Sequence, residues 1–144
     1  MLGFFIRHGL TPEEASSEGL LQIIAGSDTS ASTIRAVIFH LLASASVYRN
    51  LQAEINTGIA NGTISSPITD AEARRLLTVD LVFHYAKYKC LGQNVASREF
   101  NKVSVELLRE FDFSTVKPQM AASMSNAGIW IMGSFFVRVT RRMT

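Results

Sequence analysis

Phe83-His84-Tyr85-Ala86-Lys87-Tyr88-Lys89-Cys90-Leu91-Gly92 holds the single cysteine of the chain. An apolar helical pattern begins immediately after it and runs from about Cys90 to Glu110. Val95, Val103, Leu107 and Leu108 form its apolar face, with Phe100 and Phe111 as aromatic anchors. The spacing therefore sets a thiol at the mouth of a helix. Unpaired backbone N–H groups of a first turn and the helix dipole favour negative charge at such a place, and Lys87 and Lys89 act in the same direction. A thiolate so held is a nucleophile or a metal ligand. The plainer alternative is a buried structural cysteine, the commoner fate of a lone thiol.

Composition narrows the setting. A chain of 144 residues is long enough for one domain with a modest core. At 47% hydrophobic and 18% charged it is not a disordered chain. Its net charge of +2 is too small to point to nucleic acid, and Arg138, Arg141 and Arg142 read as a solvated strand end. One cysteine excludes an internal disulfide framework and fits a reducing compartment. The opening Met1-Leu2-Gly3-Phe4-Phe5-Ile6-Arg7-His8 is too short an apolar run for a secretory signal. No run of about 18 uninterrupted apolar residues occurs; Met120 to Val137 comes nearest and is broken by serines, glycines and an asparagine.

Upstream, Thr11-Pro12-Glu13-Glu14 is a helix start: a capping threonine, a proline at the first helical position and a glutamate placed for a capping box. The helical pattern then continues to about Ala43, about 30 residues or about 45 Å. Ile34, Val37, Ile38, Leu41 and Leu42 make one apolar face. Leu20, Leu21, Ile23 and Ile24 cover more than one face, so this helix expects protein on most sides. Its middle carries Ala25-Gly26-Ser27-Asp28-Thr29-Ser30, a run of poor helix formers. Serine and threonine hydroxyls can bond the carbonyl four residues back and bend the helix. Gly26 removes a side chain, so that another group can come close to the backbone. A local kink, or a break into two helices, is the plain reading; a functional groove is the other.

Together the two stretches resemble the cytochrome P-450 family of haem-thiolate monooxygenases. The family's cysteine loop reads F-x-x-G-x-x-x-C-x-G, and this sequence keeps Phe83, Cys90 and Gly92. It departs where Ala86 replaces the glycine and where Tyr88 replaces a basic residue. The family's oxygen groove reads [A/G]-G-x-[D/E]-T-[T/S], and Ala25 to Ser30 matches every specified position. The wording is closest to fungal members of the pisatin demethylase type.

The resemblance implies a mainly α fold. It would comprise a long distal helix, a cysteine-ligand loop and helix, and a small C-terminal β-hairpin. It implies haem b, with iron ligated by Cys90 and with Ala25, Gly26, Phe83 and Gly92 among the haem-contacting residues. Asp28 and Thr29 would pass protons to bound oxygen. The activity implied is insertion of one oxygen atom of O2 into a small apolar organic substrate, with electrons from NADPH through a reductase. The family suggests the endoplasmic reticulum membrane, through an anchor that would precede residue 1.

The remaining elements follow in order. Ser44 is placed to cap a second helix from about Ala45 to Thr57, with Val47, Leu51 and Ile55 four apart. Asn61-Gly62 is a turn. Thr69-Asp70-Ala71-Glu72 is a second capping box, opening a short helix to about Leu77. The family's E-x-x-R helix is then expected, yet Leu77 runs straight into Thr78-Val79-Asp80. Glu72…Arg75 and Glu106…Arg109 have the spacing at other places and read as solvated helix charge. The expected organisation is thus one incomplete domain over 1–144, with 1–77 and 78–144 joined across an internal deletion. After Pro118, Ile129 to Met132 and Phe135 to Thr140 read as a hairpin across Gly133-Ser134. Two other readings stand beside the enzyme. A cysteine hydrolase would need His8, His40 or His84 beside Cys90. A truncated product of a monooxygenase gene would retain at most residual haem binding.

Overall fold

Thr11 and Thr69 open their helices with the same device. The Thr11 Oγ1 accepts from the Glu14 N–H at 3.2 Å while Glu14 Oε2 accepts from the Thr11 N–H at 2.8 Å. Thr69 and Glu72 repeat the exchange at 3.3 and 2.8 Å. Each box satisfies two of the backbone donors that a helix start leaves unpaired. The computed structural model describes residues 2–77, 90, 92–120, 122–126 and 130–143. It divides into two units, Met1–Ala31 and Ser32–Thr144, with the boundary inside one helix.

The first unit begins with α1, Leu2–Arg7. Gly9, at φ 93°, ends it. The Gly9 N–H bonds the Ile6 carbonyl and the Leu10 N–H bonds the Phe5 carbonyl, the paired closure of a Schellman motif. Helix α2 follows, unbroken from Pro12 to Ala43. The poor helix formers at 26–30 therefore do not split it. Among the described residues of this unit, Ala15 is the one buried apolar side chain. Phe4, Ile6, Leu20, Leu21, Ile23 and Ile24 are exposed.

The second unit holds the core. Helix α3 spans Ala45–Ala60, α4 Asp70–Leu76 and α5 Gln93–Glu110. Leu41 from the end of α2 joins Leu51, Ile55, Ile68, Ala73, Val105, Leu108 and Phe113 in one buried cluster, against which Val37, Ile38 and Leu42 pack. Ser44 stands at the α3 N-cap position, but its side chain makes no capping bond. Gly62, at φ 68°, makes the expected turn after α3. Among the described residues no single helix is long and apolar enough to cross a membrane.

Among the described residues, four short strands complete this unit: β1 Phe111–Thr115, β2 Ser123–Asn126, β3 Trp130–Gly133 and β4 Val137–Arg141. The fold is mainly α with a small C-terminal hairpin, as expected, but the hairpin's partners differ. β3 pairs with β2, Gly133 opposite Ser123, and β4 pairs with β1, Val137 opposite Thr115. One ladder is nested inside the other. A tight two-residue hairpin turn needs a positive φ at its first central residue. Across Gly133-Ser134 only Ser134 has one, at 55°. Gly133 is instead a strand residue, and a Cβ there would sit 2.8 Å from the Ser123 hydroxyl.

Candidate functional site

The oxygen-groove stretch lies in the first unit, in the middle of α2. Its hydroxyls are turned back on the helix. Ser27 Oγ donates to the Ile23 carbonyl at 2.7 Å and Thr29 Oγ1 to the Ala25 carbonyl at 2.6 Å. This is the four-back bonding that lets Ser and Thr sit inside a helix. Asp28 is exposed beside them. Among the described residues, and apart from its own helix backbone, a Cβ on Gly26 would meet nothing within 4 Å, so no described side chain packs against the glycine. Leu20, Leu21, Ile23 and Ile24 lead up to it with exposures between 53% and 62%. This is an apolar strip followed by a segment with carboxylate and hydroxyl groups, on one rigid element. Ala25, Gly26, Asp28 and Thr29 are thus held together by the helix itself.

Cys90 and Gly92 lie in the second unit. Cys90 is free and exposed, which sets aside the buried structural cysteine. Its carbonyl accepts from the Gln93 N–H at 3.3 Å, and the Gly92 carbonyl accepts from the Ala96 N–H at 2.9 Å. The thiol residue is therefore joined by a hydrogen-bonded turn to the first turn of α5, which starts three residues after it. Of the rest of that loop, Phe83, His84, Ala86, Lys87, Tyr88, Lys89 and Leu91 lie outside the described residues. The Leu77–Thr78 junction reaches their edge. His8 Nδ1 lies 2.9 Å from the Phe4 carbonyl, and both His8 and His40 are exposed.

Helix α5 differs from its sequence reading in which side it buries. Val95 is 61% exposed and Val103 is exposed too. The buried positions are Phe100, Asn101, Ser104, Val105, Leu108 and Arg109. Val105 and Leu108 join the core on that side, and Arg109 is held inward beside them by fixed partners. Its Nη1 donates to both carboxylate oxygens of Glu106, at 3.1 and 3.2 Å, and its Nη2 to the Ser65 carbonyl at 2.7 Å. Glu106 Oε1 also accepts from the Ile68 N–H at 2.6 Å. Glu106…Arg109 is therefore a partly buried pair, not solvated charge, and sequence spacing alone gave no sign of it. Glu72 belongs to the α4 cap instead. There Ser65 Oγ, then the Thr69 backbone and side chain, hold its carboxyl down to about 2.

The chain matches the family model for cytochrome P450 over residues 6–84, more than half of its length. It is 26% identical to "Cytochrome P450 monooxygenase aba1" of Botryotinia fuckeliana, an alignment that covers 97% of this chain and 43% of that protein. It is 24% identical to "Cytochrome P450 monooxygenase ABA1" of Pyricularia oryzae, covering 99% of this chain and 44% of the relative. With "Cytochrome P450 monooxygenase abl1" of Leptosphaeria maculans it shares 34% identity over 84 residues, 58% of this chain and 15% of the relative. The chain thus spans less than half the length of the first two curated relatives. Those two alignments run over 221 and 225 positions against 144 residues, so they open gaps where the relative has residues and this chain has none. No solved structure gives a significant match.

Proposed function

Because this chain belongs to the cytochrome P450 family, we propose that it is a haem-binding part of a monooxygenase, with Cys90 as the ligand to the iron of haem b. The residues present fit that group in kind. Cys90 is an exposed, unpaired sulfur donor tied into a helix start. Gly26 leaves open helix surface beside exposed leucine and isoleucine side chains, the kind of surface an apolar macrocycle covers. When bound, haem with a thiolate ligand supplies oxygen activation, because the sulfur donates electron density to the iron. The reaction is insertion of one oxygen atom into a small apolar organic substrate, with electrons from NADPH through a reductase.

The side chains named here have separate tasks. Cys90 would hold the iron, with Phe83 and Gly92 shaping the loop around it. Ala25 and Gly26 would let oxygen and substrate lie against α2, because a Cβ at Gly26 has no neighbour within 4 Å among the described residues outside its own helix backbone. Asp28 is exposed and ionisable, and moves protons between solvent and the Thr29 hydroxyl. That hydroxyl donates to the Ala25 carbonyl at 2.6 Å, which fixes the direction of its oxygen.

A second reading concerns the 144-residue chain by itself: it binds haem without turning over. Three observations favour it. Both long alignments gap this chain internally, and the family match ends at residue 84, near the Leu77–Thr78 junction where we place a deletion inside a single incomplete domain. The exposed side chains of α2 also leave water free to reach any group bound there, and water at an activated centre diverts the reaction.

The observation that carries the ligand assignment is the exposed thiol of Cys90 in the turn that opens α5. The test adds haem to the chain, reduces it and exposes it to carbon monoxide, beside Cys90→Ala. A red-shifted, thiolate-type Soret band in the parent and none in the variant is the expected result. Identical spectra would remove Cys90 as the ligand. Reductase-dependent turnover by the 144-residue chain would overturn the second reading and leave the first.

A further inference from the structure

We propose that Glu106 and Arg109 are positioning residues for Cys90: they lock α5, the helix that Cys90 opens, in one register on the turn formed by residues 65–68. The importance of that register for iron ligation rests on the reading of Cys90 given above; the lock itself does not.

The geometry is directional. Arg109 donates to the Ser65 carbonyl and Glu106 accepts from the Ile68 N–H, while the two side chains bond each other. Each member thus holds the other and one backbone group of the same turn. Sliding α5 along its axis by one residue would break both bonds to the turn together, while the bonds within the pair travel with the helix. The turn in question is itself fixed. Ile68 is fully buried in the core, and Ser65 Oγ donates to Glu72 of the α4 cap at 2.7 Å.

At the other end, the Gln93 and Ala96 N–H groups tie Cys90 and Gly92 to the first turn of α5. Between Gln93 and Arg109 the helix contains no glycine or proline. Over a rod about 24 Å long, a shift at the Arg109 end is passed on to the thiol end, because nothing between them bends.

A buried ion pair adds little net stability over well-packed apolar side chains. Arg109 is 7% exposed, and its Nε has no hydrogen-bond partner, so the site is not built for complete polar satisfaction. What the pair adds is a fixed placement of the helix. Register and orientation are the best attested use of such groups.

Arg109→Met, Arg109→Lys and the reversed pair Glu106→Arg/Arg109→Glu test this in the full chain. The first readout needs no haem: hydrogen exchange over 93–100 and 65–69, with 51–58 of α3 as the internal reference. Arg109→Met should speed exchange at 93–100 and 65–69 by roughly tenfold or more while α3 keeps its protection. Arg109→Lys should fall between, since one ammonium cannot span both Glu106 oxygens and the Ser65 carbonyl as the fork does.

The reversed pair restores the charges but turns a carboxylate towards the Ser65 carbonyl and a guanidinium towards the Ile68 N–H. It should therefore fail to restore protection. Restoration by the reversed pair, or equal loss of protection in α3, would overturn the proposal. The second readout is the share of thiolate-type spectrum with haem and carbon monoxide, expected to drop in Arg109→Met and to stay low in the reversed pair. Exchange that responds while this share does not would also overturn it. A parent with no thiolate-type band would sink the Cys90 reading alone, and the exchange result would still decide the lock.

Discussion

Leu20, Leu21, Ile23 and Ile24 stand between 53% and 62% exposed, whereas Val37, Ile38, Leu41 and Leu42, further along the same helix, lie in or against the core of α3, α4, α5 and β1. Both stretches are aliphatic and both are helical. The difference is in what reaches them. The second stretch is met by Leu51 and Ile55 at fourfold spacing on α3 and by Val105 and Leu108 on α5. The first has no such partner among the described residues of its unit. Apolar sequence makes a surface available for burial; only another element supplies the burial, at about 25 cal/mol for each Å² covered.

The largest expected effect tests this contrast directly. Ile55 is fully buried, so Ile55→Ala should cost about 2–5 kcal/mol through lost transfer and a residual cavity. Ile23→Ala should stay within about 0.5 kcal/mol. Urea unfolding of the two variants measures both. Equal losses would mean that the first half of α2 is packed after all.

Legibility in the sequence divides along the same line, between local and distant causes. Both capping boxes were legible because each needs only residues three apart. So was the length of α2, as a pattern without proline. The pairing of β3 and β4 was not. Gly133-Ser134 is locally a permissive turn, and only the presence of β1 and β2 earlier in the chain draws the two strands apart. The buried side of α5 was misread for a similar reason. Val95 and Val103 look like core residues from periodicity, while Asn101, Ser104 and Arg109 look solvated. The groups that hold the Glu106–Arg109 pair inward, the Ile68 N–H on Glu106 and the Ser65 carbonyl on Arg109, lie 38 and 44 residues away and give no periodic signal. The candidate site is a mixed case: Ala25, Gly26, Asp28 and Thr29, expected from their spacing, share α2; Cys90 and Gly92 lie in the hydrogen-bonded turn before α5; Phe83 lies outside the described residues.

A second test asks whether the exposed half of α2 carries function where it lacks packing. Thr29→Ala should leave unfolding free energy within about 0.5 kcal/mol, as expected of a substitution away from a core. In a chain extended to the length of its relatives, the same change should lower the share of NADPH electrons recovered in oxidised substrate. Measuring product against NADPH consumed decides it. Unchanged coupling would remove Thr29 from the proton path and leave that half of the helix as surface.

A third test treats the exposed strip as a liability of the chain alone. Contiguous exposed apolar side chains favour self-association. Leu21→Gln with Ile24→Gln should raise the monomer fraction in light scattering and leave the urea midpoint nearly unchanged. Comparable changes at the core pair Leu51 and Ile55 should do the reverse, unfolding the chain and promoting aggregation. A double variant of the strip that aggregates like the parent would show that these side chains are not what the chain associates through.

The smallest effect compares the two capping boxes, one in each unit. Glu14 accepts from the Thr11 backbone and then its side chain, and its carboxyl is lowered. Glu72 accepts the equivalent pair from Thr69 and also the Ser65 hydroxyl, the largest cause, which together hold it at about 2. Both groups are depressed on folding, so the native state binds fewer protons than the unfolded chain at low pH. Their stabilisation is complete above the unfolded value of about 4.5 and is lost as pH falls through the folded value. For Glu72 that window reaches down to about 2; for Glu14 it should close at higher pH, because one donor is missing. Side-chain carboxyl titration by NMR reads both groups in one sample. Ser65→Ala should move the Glu72 midpoint upward, towards that of Glu14, and leave Glu14 where it was. If the Glu72 midpoint stays at about 2 without the Ser65 hydroxyl, Thr69 alone sets it. The two boxes would then differ through the surroundings of their units rather than through one added hydrogen bond.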